Sequence, residues 1–98
     1  MKTISRIKIP QAVSLYMERL EYEYSGWRNL ALAAERLKTD DESYARIARD
    51  AQSAHMELEA AKEEFRKSYI PEPYQRPCFQ YWLDFGASEA VICRGEAA

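Results

Sequence analysis

Glycine is nearly missing from this chain. Its three glycines, Gly26, Gly86 and Gly95, are too few and too scattered to build a phosphate-cradling loop. Histidine occurs once, at His55. A di-iron carboxylate site wants Glu-x-x-His elements, and Gln52 stands where that glutamate would be. Cysteine occurs twice, at Cys78 and Cys93, without C-x-x-C spacing. Together with His55 they lack an obvious fourth zinc ligand. A Cys–His nucleophilic pair would lack an orienting third group, and Cys78 reads as an apolar neighbour of Phe79. No segment reaches the roughly 18 apolar residues of a membrane span. The start, "MKTISRIKIP", is basic but has no apolar core, so it does not read as a signal peptide. The cytoplasm, with both thiols reduced, is the expected compartment.

An excess of positive charge is absent as well. Fourteen Lys plus Arg against sixteen Asp plus Glu leave a net charge of −2, which argues against a dedicated nucleic-acid surface. Lys2, Arg6 and Lys8 still form a small basic start, which keeps a nucleic-acid-associated regulator as a third reading.

What is present is helical grammar. Residues 10–38 are expected to form a helix opened by Pro10, which loses no helical hydrogen bond in the first turn. Val13, Leu20, Trp27 and Ala34 recur every seven residues, and Tyr24, Ala31 and Leu37 fill positions between them. "TDDE" breaks the pattern. Thr39 with Glu42 matches a capping box, and Asp40 or Asp41 are alternative caps. Residues 42–69 are expected as a second helix, with Tyr44, Ala51, Leu58 and Phe65 on one heptad position. Each helix would run roughly 40 Å. So short a turn makes the two antiparallel and places residues equidistant from position 40 side by side. Trp27 then falls beside Ala51, Ala54 and His55. Gly26, inside the first helix, costs roughly 1 kcal/mol against alanine, and reads as a tolerated residue, a kink or a place of close approach.

The ends follow other rules. Residues 1–9 form an arm whose "ISRIKI" leans towards a strand. Residues 70–98 are an aromatic C-terminal segment. Pro71 and Pro73 stop the second helix, and "PEPYQRP" is extended or turn-like. "CFQYWLDFG" suits a short helix better than a strand, "ASEAVIC" suits either, and "RGEAA" reads as frayed. Residues 68–86 hold three of the four prolines and six of the twelve aromatic residues, yet no P-x-x-P ligand. The segment is therefore expected to cover the helices, in cis or across a dimer.

These readings add up to a single all-α domain. It is an antiparallel two-helix hairpin with an aromatic tail, and a homodimer of it would form a coiled-coil-like four-helix bundle, because two helices alone enclose no core. The leading function is a non-catalytic structural or protein-interaction module, with Trp27, Phe79, Tyr81, Trp82 and Phe85 as interaction residues. The alternative is a ligand- or metal-binding enzyme whose pocket is lined by Tyr24, Trp27, His55 and Glu59. No catalytic residue, metal ligand set or cofactor is assigned.

Overall fold

A computed structural model describes residues 2–95. The chain runs β1 (Lys2–Lys8), α1 (Gln11–Arg36), α2 (Asp41–Tyr69), a 3-10 turn at Glu72–Tyr74, β2 (Phe79–Asp84) and β3 (Glu89–Arg94). The fold is α+β. The all-α expectation is overturned by a three-stranded antiparallel sheet of order β1-β3-β2. With two helices and a sheet, neither a four-helix bundle nor a coiled coil describes the architecture. The arm at residues 1–9 is mostly strand, and the aromatic tail supplies the other two strands. Glu96 to Ala98, part of the segment expected to fray, lie outside the described residues, while Arg94 closes β3. No described helix is long and apolar enough to cross a membrane.

The chain divides into two compact units. The first takes residues 2–16 and 62–95. Its centre is β3, where Ala90, Val91, Ile92 and Cys93 are all buried. A short, continuous β-rich apolar run suits a strand flanked on both edges. Partners across the sheet stand on one face: Ser5, Ile92 and Tyr81 on one side, Arg6, Val91 and Trp82 on the other. The register slips between Thr3 and Ser5, leaving Ile4 as an unpaired, exposed bulge. The Tyr81 face is covered by the end of α2. Tyr81 stacks on Phe65 with ring centroids 5.5 Å apart, and its hydroxyl donates to the Lys62 carbonyl at 3.1 Å. Ile9, Phe65 and Ile70 complete this core.

Two local devices shape this unit. Beyond Ile70 the backbone turns through Pro71, and the Gln75 side-chain amide donates to the Ile70 carbonyl at 2.7 Å. One of the carbonyls orphaned at the end of α2 is thereby satisfied. At the β2–β3 hairpin, Asp84 accepts from the Ala87 N–H at 3.2 Å, and Ser88 takes a left-handed φ of 50°.

The second unit is the helical hairpin Met17–Ala61. Its buried residues are Met17, Leu20, Ala34 and Leu58. α1 runs through Gly26 to Arg36 without a break. It ends in a Schellman cap. Lys38 adopts φ 53°, its N–H donates to the Glu35 carbonyl at 3.3 Å, and the Thr39 N–H reaches back to Ala34 at 3.2 Å. The Thr39–Glu42 capping box is not formed, because the Thr39 hydroxyl also turns back to the Ala34 carbonyl at 3.3 Å. Asp40 caps α2 instead, accepting from the Ser43 N–H at 2.9 Å. That bond holds the Asp40 carboxyl below the usual carboxylate range.

Candidate functional site

The hairpin unit carries two surfaces that its own packing does not explain. The first is a groove along one side of α1 and α2, about 400 Å³ in volume. Its floor is small, with Ala31, Ala48 and Ala51, and that absence of bulk is what opens it. Tyr24, Arg28 and Glu35 line it from α1, and Tyr44, Gln52 and His55 from α2. The Tyr24 and His55 rings meet at 5.1 Å, tilted by 46°. His55 Nδ1 is buried and has no hydrogen-bond partner among the described residues. A polar atom left so costs about 1–3 kcal/mol.

The second surface is the opposite face of α1. At about 100° per residue, Gly26 lies on the far side of the helix from Tyr24 and Ala31. Tyr22, Gly26, Leu30, Ala33 and Leu37 follow one another along that outer face, and all are exposed. Tyr22 is 81% exposed, Leu37 75% and Leu30 46%. A shallow apolar groove of about 260 Å³ runs between Tyr22, Gly26 and Leu30 on one side and Glu23 and Trp27 on the other. A Cβ built on Gly26 would meet no atom within 4 Å. The charges beside the stripe, Arg19 and Glu23, are paired with each other at 3.0 Å. α1 is thus apolar on two opposite faces, and the hairpin uses only one.

The structure brings together some of the expected site residues and separates others. Tyr24 and His55 do share a groove. Trp27 does not join them; it lines the outer groove. Glu59 is exposed and lies outside the His55 groove. Arg28, Glu35, Tyr44 and Gln52 line that groove and were not anticipated. Among the expected interaction residues, strand alternation sets Trp82 on the opposite sheet face from Phe79 and Tyr81. Tyr81 packs on Phe65, Phe79 meets Tyr74 edge-on at 5.3 Å, Trp82 stands 49% exposed on the other sheet face, and Phe85 sits half-buried in the hairpin turn.

The basic start is not a free cationic patch. Arg6 Nη1 donates to Asp84 and to Glu89, both at 3.1 Å, and Lys8 lies 3.9 Å from Glu89. Among the described residues, no group of three or more His, Cys, Asp or Glu is placed to hold a metal ion. Cys78 is exposed, Cys93 is buried, and both are free thiols. Comparison with known proteins finds no family, curated protein or solved structure that matches this chain.

Proposed function

We propose that this protein is a non-catalytic interaction module that works as a homodimer through the outer face of α1. The observation that carries this reading is the second apolar stripe, Tyr22–Gly26–Leu30–Leu37, on a helix whose inner face is already occupied. Together with Trp27 these side chains expose on the order of 500 Å² of surface, comparable to the largest patches on monomers, about 300–600 Å², which are often functional. Two such patches brought together approach the lower end of the 1,200–2,000 Å² range of specific interfaces. Flanking polar residues would supply the rest.

A second copy suits the stripe better than an unlike partner. Its flanking charges, Arg19 and Glu23, are paired with each other, so it offers little net charge for a complementary surface to read. It is also self-complementary. Tyr22 and Leu30 stand four residues either side of Gly26, so an antiparallel α1–α1 contact centred there sets each tyrosine against the other copy's leucine. Gly26 at the centre lets the backbones approach, a use that justifies an exposed mid-helix glycine. The stripe points away from α2, so the contact joins α1 to α1 and encloses no shared four-helix core. We place the protein in the cytoplasm, a reading supported by its two free thiols.

The test is a charge in the stripe. Leu30→Glu, and separately Tyr22→Glu, are expected to convert a dimer to the 11.4 kDa chain in sedimentation velocity, with the circular dichroism spectrum unchanged. Variants that remain dimeric would remove the α1 face from the account.

A further inference from the structure

We propose that the groove between α1 and α2 is a binding site for a small aromatic carboxylate. It lies on the other side of α1 from the dimer stripe and does not depend on it.

The polar lining is what singles this groove out. Arg28 is a cation with no ion pair or hydrogen bond among the described residues. A free guanidinium offers a planar fork of donors that fits a carboxylate with two parallel bonds. His55 lines the groove with its ring against Tyr24. Tyr24 touches His55, and Arg28 stands one turn, about 6 Å, farther along α1. The cation therefore lies towards the His55 end of the groove. Gln52, level with Arg28 across the hairpin, presents a further donor.

The other end of the groove fixes the rest of the ligand. Glu35 lies there beside Tyr44 and repels an anion, which orients the carboxylate towards His55. Ala31, Ala48 and Ala51 make a flat apolar floor, and Leu32 and Tyr44 give it a wall. A planar ring lies on such a floor in contact with the Tyr44 ring. The volume, about 400 Å³, is within the range of small-molecule sites. Other ligand classes fit less well. A metal ion finds too few ligating side chains here. A polyphosphate finds one cation and one opposing carboxylate. A purely apolar ligand would leave the Arg28 guanidinium without an anion.

The test is titration of the full-length protein with phenylacetate, followed by amide chemical shifts. Acetate and 2-phenylethanol are the controls for the ring and the charge. Saturable shifts confined to residues 24–35 and 44–55 are expected for phenylacetate, with at least tenfold weaker binding by both controls. Arg28→Gln is expected to weaken phenylacetate binding at least tenfold, and His55→Ala to weaken it as well. Arg36→Gln, a substitution outside the groove, is expected to leave it unchanged. Failure of phenylacetate to bind would overturn the proposal. So would equal binding of 2-phenylethanol, or an Arg28→Gln variant that binds as well as the wild type. The Leu30→Glu monomer is expected to bind phenylacetate like the wild type, so this result stands or falls apart from the dimer.

Discussion

Lys38 pays for the tight turn between the helices. Its φ of 53° is a left-handed conformation that costs a side chain with a Cβ about 1 kcal/mol or more. Glycine has no such cost at this cap position. Lys38→Gly is therefore expected to stabilise the protein by about 1 kcal/mol, read as a higher urea midpoint. Ile92 shows the opposite sensitivity. It is fully buried in the central strand, and Ile92→Ala is expected to cost about 2–5 kcal/mol in the same measurement.

Asp84 makes the sheet sensitive to acid. The Arg6 guanidinium, and then the Ala87 N–H, hold its carboxyl below the ordinary aspartate range. A carboxyl with a depressed folded pKa contributes stability above its unfolded value, about 4. That contribution is lost as pH falls through the lower folded value. The wild type is expected to lose urea resistance more steeply than Asp84→Asn between about pH 5 and pH 2.5. Parallel pH profiles for the two proteins would contradict the assignment.

At the scale of elements, Gly26 separates two effects. It is exposed, mid-helix and meets nothing within 4 Å, so Gly26→Ala removes a helix-propensity cost of roughly 0.5–1 kcal/mol. The same methyl enters the centre of the proposed α1–α1 contact. Gly26→Ala is therefore expected to raise the unfolding midpoint of the Leu30→Glu monomer while weakening dimerisation of the otherwise wild-type chain. Urea denaturation and sedimentation equilibrium read the two separately.

The helices were legible in the sequence because their signals are local. The apolar period, Pro10 and "TDD" put both within two residues of their observed ends. The sheet was not, because its pairing is long-range. β1 finds β3 some ninety residues away, and no local period records that partner. In "FQYWLD" the strand alternation was masked by aromatic residues that also suit a helical face. Half of the groove was legible by the same reasoning that built the hairpin. Tyr24 and His55 are equidistant from the turn near position 40, and they do meet. Arg28 with Gln52 and Glu35 with Tyr44 satisfy the same relation and would have been found by extending it. Trp27 lies three residues from Tyr24, hence about 60° round the helix, and lines the outer groove instead.

For the whole molecule, the central claim is that the outer face of α1 joins two copies. The direct measurement is sedimentation equilibrium of the unmodified protein over a concentration series from about 1 to 100 µM, a range chosen to span a micromolar dissociation constant. The account predicts a mass that rises towards twice 11.4 kDa with concentration, and a Leu30→Glu variant that stays at 11.4 kDa throughout. A wild-type chain that remains at 11.4 kDa across the whole series would contradict it.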